Sequence, residues 1–484
     1  MKIDTLIEIC NPLHVTNKVD GELSMCAIDS RKVDQNGVFI AIPGTEVDGH
    51  IFIEDAINRG AKVIICEESY YTDQDVCIIE VEDSRKLAGP VAQAFAGYPA
   101  QKMKLIGVTG TNGKTTTATL VYQVLTALGK KTSLLGTVHK RILDKVMESK
   151  LTTADPVELA SDMKQMAEAG SEYLVMEVSS HALHQYRVHG LTFEVAAFTN
   201  LSHDHLDYHH TLEEYAAAKK MLFDHLPASS TAVVNMDDDF GATMLKNCKA
   251  KVLPLSFDEE QAYVLENTAD GLSVIIDGEK IVSQLVGKFN AYNLGQTFLI
   301  CKALGLSDAE IANALSKAKG AAGRMEPVTA EGDLPLVIVD YAHTPDALQN
   351  VLSTLSAVKD ASQKLTVVFG AGGDRDTTKR PEMAKVAEEF ADKIFVTSDN
   401  PRTENPDLII ADILNGFEKL EKVTSITDRK EAIERAIDDA STNEIILIAG
   451  KGHEDYQEVN GQRHHFDDRE IARECLTKKA GRST

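Results

Sequence analysis

The stretch KLIGVTGTNGKTTTATLVYQVLTAL, residues 104–128, decides the fold. An apolar run with the look of a buried strand breaks at Gly110-Thr111-Asn112-Gly113-Lys114-Thr115-Thr116, and an amphipathic segment follows from Thr115 to Leu128. Strand, glycine turn and helix in that order make a phosphate cradle. Glycines let backbone N–H groups approach phosphate oxygens, the helix N-terminus adds positive potential, Lys114 reaches terminal phosphates and the Thr115 hydroxyl can ligate Mg²⁺. The usual spacing puts a glycine five residues ahead of the Gly-Lys pair. This chain has Val108 there, so the loop is a variant that starts at Gly110. A glycine turn without a ligand is the alternative; the strand before it and the helix after it favour ATP or a close relative.

Working outward, KTSLLGT (131–137), EYLVMEV (172–178), EVAAFTN (194–200) and TAVVNMDD (231–238) repeat the pattern of an apolar run that ends in polar residues. Such alternation reads as βαβ units on a parallel sheet, whose ligands sit at the strand tips. A second series starts after GRMEPV (323–328) and comprises LPLVIVDYAHTPDAL, KLTVVFGAGGDRD, DKIFVTSDNPR and EIILIAGKGHED. Upstream, short runs such as GVFIAIPG and AKVIICEE suggest a small mixed domain. The expectation is a three-domain α/β chain: a small N-terminal α/β domain (1–98), a central parallel-sheet P-loop domain (99–325) and a C-terminal Rossmann-like domain (326–484).

The chain has 484 residues and a formal net charge of −24. That acidity argues against a general nucleic-acid or anionic-membrane binder, because neutralising phosphates needs a basic surface. Basic residues must instead be gathered locally around any anionic ligand. The seven cysteines are scattered with no C-x-x-C spacing, which fits reduced thiols. Asp4 and Glu8 interrupt the place a signal peptide's apolar core would occupy, and no apolar run is long enough for a bilayer. A cytoplasmic protein without membrane or nucleic-acid partners, acting as a monomer, is expected.

Chemistry concentrates at the strand tips. Glu177 ends one run and is followed by Ser179, Ser180 and His181; the run NLSHDHLDYHH (200–210) carries His205. Carboxylate and imidazole on neighbouring tips suit a metal beside the phosphates, with zinc and plain solvated histidines as the other readings. On composition alone Lys219, in AKKMLF, is a solvated helix residue. Asn290 suits an adenine edge and Arg324, at a domain junction, a phosphate or ribose, although caps and turns explain both nearly as well. In the last domain, DYAHTP, GAGGDRD, DNPR and GKGHED gather charges of both signs at strand ends, which suits a small zwitterion; ordinary turn chemistry is the alternative for each alone.

Taken in order, GTNGKTT, MEVSSHAL, NLSHDHLDYH, AKKMLF, GKFNAYN, GRME, DYAHTPDAL, GDRD, DNPR and KGHED resemble the Mur ligase family, and Asp29-Ser30-Arg31 with Pro43-Gly44-Thr45 extends the resemblance to the family's N-terminal UDP-binding domain. The resemblance implies an ATP-dependent amide ligase of peptidoglycan precursor synthesis, with Mg²⁺ as cofactor and UDP-muramoyl-dipeptide as acceptor. Catalysis would fall to Lys114, Glu177, His205 and Lys219, with Gly110, Thr111, Asn112, Gly113, Lys114, Thr115, Thr116, Asn290 and Arg324 on ATP. Metal would be held by Thr115, Glu177, His205 and a carbamoylated Lys219, which replaces the solvated reading of that lysine. Ile28, Ser30, Thr45, Thr152, Thr153, Ser179, Gln185 and Arg187 would meet the UDP-substrate. Ala154 stands where the family usually has proline after the paired threonines, which leaves the local loop less rigid.

The resemblance further implies an amino-acid site of Arg375, Asp399, Asn400, Pro401, Arg402, Gly450 and Glu454. Meso-diaminopimelate differs from lysine by a far carboxylate, and Arg402 offers a planar fork that matches one. Addition of meso-diaminopimelate is therefore expected, with L-lysine addition or a folylpolyglutamate synthase as the alternatives.

Overall fold

The computed structural model describes residues 1–44, 47–258, 260–269 and 271–483. Strand Lys104–Thr109 is buried from Leu105 onward because parallel neighbours flank it on both sides, Tyr173–Glu177 and Val195–Phe198. It is a middle strand of an eight-stranded sheet in the order Lys251–Leu255, Thr231–Asn235, Val195–Phe198, Lys104–Thr109, Tyr173–Glu177, Thr132–Leu135, Lys140–Ile142, Lys145–Met147. All pairings are parallel except the last two, which form an antiparallel extension. Parallel strands covered on both faces read as continuous apolar runs, which is why these segments stand out in the sequence.

The chain divides into two compact units, residues 1–258 with 295–314, and 259–294 with 315–484. The first unit also holds a five-stranded sheet, His14–Thr16, Cys77–Glu80, Ala61–Cys66, Gly37–Ile40 and Cys26–Ala27, parallel except for its first pair. Helix Ser84–Phe95 covers this sheet, and its core takes in Ala160 from helix Pro156–Glu168. Asp155 starts that second helix, its carboxylate accepting from the Val157 and Glu158 amides ahead of Pro156 at the first helical position.

The second unit is built on a six-stranded sheet: Glu326–Val328, Leu336–Asp340, Glu444–Ala449, Lys364–Phe369, Lys393–Val396, Val423–Ser425, parallel except for its first pair. Apolar clusters cover both faces, one with Leu348, Leu352 and Met383, the other with Ile433, Ile437 and Leu476. An antiparallel three-stranded sheet (Ala262–Thr268, Gly271–Ile276, Glu279–Ser283) and a hairpin (Tyr456–Val459, Gln462–His465) complete it. The α/β class with its parallel-sheet domains is as expected; the three-stranded sheet and the hairpins were not read from the sequence. None of the seven cysteines is paired, and all but Cys248 are buried. Among the described residues no helix is long and apolar enough to cross a membrane.

Candidate active site

In the first unit, the loop after Lys104–Thr109 is locked by its neighbour strand. The Thr111 amide donates to Asn200 O (2.8 Å), the Asn112 amide to Asn200 Oδ1 (2.9 Å), and Thr199 Oγ1 to Asn112 O (2.6 Å). Gly110 has φ 148°, and a Cβ there would stand 1.9 Å from Thr199 Oγ1, so only glycine fits. Gly113 (φ 85°) caps helix Lys114–Ala127. Lys114 Nζ folds back onto the carbonyls of Gly110 (3.0 Å) and Thr111 (2.7 Å), and Thr116 is buried behind the turn.

Glu177 is 1% exposed at the tip of its strand. Its Oε2 accepts from Thr115 Oγ1 at 2.9 Å and from Thr137 Oγ1 at 3.1 Å, and its Oε1 from the Thr137 amide at 2.8 Å. Thr153 Oγ1 donates to the Glu177 carbonyl (2.9 Å) and accepts from the Ser179 amide (3.1 Å). Arg187 donates to Thr153 O (2.9 Å) and to Gln185 Oε1 (2.8 Å), while Ser179 Oγ caps helix Ser180–His184. The expected substrate contacts Thr152, Thr153, Ser179, Gln185 and Arg187 are thus contiguous with the expected metal contacts Thr115 and Glu177. Ser30 is buried at the start of a short 3₁₀ turn, and Ile28 packs on the core that includes Ala160. Thr45 lies outside the described residues.

Lys219, on helix Leu212–Asp224, is 1% exposed. Its Nζ donates to Gly110 O at 2.7 Å and stands 4.2 Å from the centre of the Tyr215 ring. Burial drives its pKa well below the lysine range, and the nearby Lys114 charge adds to this. The composition-based reading of a solvated lysine is therefore corrected: the helix turns this face inward against the phosphate loop.

His205 has φ 54° at the start of a short helix, its ring 4.9 Å from that of His181 and 6.1 Å from that of Tyr215. His209 is buried against Ser180 Oγ (3.0 Å), and burial together with the His181 and His184 charges lowers its pKa to about 4. Among the described residues no three His, Cys, Asp or Glu side chains are arranged to hold a metal ion. Thr137 and Tyr215 carry contacts the sequence did not single out; Tyr215 OH accepts from Thr111 Oγ1 at 3.3 Å.

The second unit holds the remaining expected residues. Asn290 is buried, donating to Val286 O (2.8 Å) and accepting from Asn293 (2.8 Å). The Arg324 guanidinium lies 4.7 Å from the centre of the Tyr341 ring. Asp399 and Asn400 are buried at the tip of Lys393–Val396, followed by Pro401. Burial opposes ionisation of Asp399, but Arg429 and Lys451 outweigh it and hold its carboxyl below the usual range. Gly450 (φ 121°) lets the backbone pass this carboxylate, since a Cβ would come 2.5 Å from Oδ2.

Asn400 is held at both ends of its amide, its Nδ2 donating to Glu454 Oε2 (2.9 Å) and its Oδ1 accepting from Lys451 Nζ (3.0 Å). Burial, then the Asp399 charge, raises the Glu454 pKa. Arg402 has φ 51°, and its Nη1 donates to Gly373 O at 2.7 Å; Arg375 is exposed nearby on the GAGGDRD loop. Lys451 and Arg429, both fully buried, underlie this rim without having been expected there.

Family models match along the chain: "Mur ligase family, catalytic domain" over residues 22–96, "Mur ligase middle domain" over 108–301, and "Mur ligase, glutamate ligase domain" over 323–452. A protein of Cytophaga hutchinsonii named UDP-N-acetylmuramoyl-L-alanyl-D-glutamate--2,6-diaminopimelate ligase is 44% identical, the match covering 98% of this chain and 99% of that one. One of Parabacteroides distasonis with the same name is 46% identical over 93% of each. A solved structure of a ligase so named has a TM-score of 0.71 at 33% identity, covering 96% of this chain and 97% of that one. Phosphate loop, strand-tip carboxylate and buried helix lysine thus lie in a chain that belongs to the Mur ligase family.

Proposed function

We propose that this Mur ligase joins meso-diaminopimelate to UDP-N-acetylmuramoyl-L-alanyl-D-glutamate, as a cytoplasmic monomer in peptidoglycan precursor synthesis. The γ-phosphoryl group of ATP passes to the γ-carboxylate of D-glutamate, leaving ADP. The diaminopimelate amine then attacks the acyl phosphate, an amide forms and phosphate departs. The reading is carried by one observation: a buried carboxylate, Glu177, is hydrogen-bonded at once to Thr115 of the phosphate loop and to Thr137, which reaches Thr152.

Lys114 would leave its two loop carbonyls to meet the transferring phosphoryl group, where fixed positive charge does most of the catalytic work. The oxygen donors of Thr115 and Glu177, with His205 close to Tyr215, fit Mg²⁺, which prefers carboxylate and hydroxyl oxygens. Such an ion would offset phosphate charge. Only a neutral amine adds CO₂, and the site around Lys219 favours the neutral form, so its carbamate would contribute a further anionic oxygen. Thr152, Thr153, Ser179, Gln185 and Arg187, with Ile28, Ser30 and Thr45, would hold the UDP-substrate. Asn290 and Arg324 would meet the nucleotide, and Arg375, Arg402, Asp399, Asn400 and Glu454 the amino acid.

Phosphate release, measured with ATP, UDP-muramoyl-L-Ala-D-Glu and a panel of amino acids, tests the whole. Release is expected only with all three substrates present and with meso-diaminopimelate far ahead of L-lysine. Equal use of lysine would remove the acceptor assignment. Release on a folate with glutamate, without any UDP-sugar, would turn the reading to a folylpolyglutamate synthase.

A further inference from the structure

We propose that Thr137 is a positioning residue that ties Thr152, on the side of the accepting substrate, to the carboxylate of Glu177 on the nucleotide side. The inference deepens the ligase reading and rests on it. Strand Thr132–Leu135 runs parallel to Tyr173–Glu177, with Leu135 opposite Met176, so the chain just beyond it falls beside Glu177. There Thr137 uses both of its donors on one carboxylate: its amide reaches Oε1 at 2.8 Å and its hydroxyl Oε2 at 3.1 Å. The same hydroxyl lies 3.0 Å from Thr152 Oγ1.

A hydroxyl has one proton to give, and a carboxylate only accepts. The Thr137 proton therefore goes to Glu177, and Thr137 accepts from Thr152. Thr115 closes the line from the opposite side at 2.9 Å, so the protons run Thr152 to Thr137 to Glu177, and Thr115 to Glu177. Both carboxylate oxygens are held, which fixes the plane of Glu177 against the loop. Thr137 is only half-buried.

Thr137→Val keeps the side-chain shape and the amide but deletes the hydroxyl; Thr137→Ser keeps the hydroxyl. Two quantities are read on the full-length protein: calorimetric affinity for UDP-muramoyl-L-Ala-D-Glu without ATP or metal, and steady-state kcat and KM. The valine variant is expected to bind the UDP-dipeptide more weakly and to lose about tenfold or more in kcat, the loss expected when a hydrogen bond to a charged group is removed. KM for the amino acid should not move, and serine should restore both values. Wild-type affinity and kcat in the valine variant, beside an active wild type, would overturn the role of Thr137 while leaving the ligase reading intact. Serine as impaired as valine would also overturn it, because the effect would then be one of packing.

Discussion

Of the buried lysines among the described residues, Lys219 and Lys451 have surroundings that differ in kind. Lys219, 1% exposed in the first unit, meets a carbonyl, the face of Tyr215 and the repelling charge of Lys114; among the described residues no carboxylate pairs with it. Lys451, 0% exposed in the second unit, donates to Asn400 Oδ1 and stands 3.4 Å from Glu454 Oε2. Burial penalises an ammonium charge, and a nearby carboxylate offsets that penalty. The first site favours a neutral amine, and the second pairs its lysine with an amide oxygen and a carboxylate.

The contrast is easiest to break at Lys219. Replacing it by alanine should lower ligation by about 10³-fold, the scale seen when a preorganised electrostatic group is lost. Short carboxylic acids added in solution should restore part of the rate, since they replace a carboxylate-like oxygen. A plain, unmodified amine at this position in active, Mg²⁺-loaded enzyme, read by mass or density, would remove the carbamate.

In the second unit the corresponding experiment addresses selectivity. Arg402→Ala should reduce discrimination between meso-diaminopimelate and lysine, which can reach about 10⁴-fold where a ligand lacks an expected polar partner. Unchanged ratios of kcat/KM for the two amino acids would take that role from Arg402.

Methionine fits a lysine-shaped cavity without the charge, and it separates the two sites in a third way. Lys219→Met, in CO₂-free buffer, should leave stability unchanged or raise it by about 1 kcal/mol, because it removes a buried amine that no carboxylate pairs with. Lys451→Met should lower stability by about 3 kcal/mol, because Glu454 and Asn400 lose their buried partner. Denaturant unfolding of both variants checks this, and equal shifts of one sign would erase the distinction.

The smallest effect expected is one of pH. His209 has a folded pKa of about 4, below its ordinary 6.5, so the folded state prefers the neutral ring. Its contribution is fully present above pH 6.5 and is lost as pH falls through about 4. His209→Gln should flatten this loss in unfolding curves between pH 7 and 4; an unchanged slope would place the titration elsewhere.

The glycine turn 110–113, Glu177 and the strand tips were legible because parallel buried strands leave uninterrupted apolar runs that end in polar residues. Thr137 was not, since nothing local distinguishes it: its role comes from the register of Thr132–Leu135 against Tyr173–Glu177, a relation between distant segments. Lys219 illustrates the same limit from the other side. Its helix carries lysines at 219 and 220, and only packing shows that the first points inward while the second pairs with Asp224. The three-stranded sheet went unread because its strands expose Tyr263, Leu265 and Val282, which blurs the alternation that marks a half-buried strand.

The unpaired cysteines give the molecule a built-in record of its own opening. The thiolate is the species that alkylating reagents attack, and burial holds Cys10, Cys26 and Cys66 at about 12 and Cys475 at about 11. In the closed chain these sulfurs are protonated and shielded, so each reacts only when the structure around it comes apart. Cys248, half-buried, reacts first and sets the baseline. Cys475 alone belongs to the second unit, and the other buried thiols to the first. Counting labels site by site against time therefore clocks the unfolding of each unit separately, in a protein that carries no added probe.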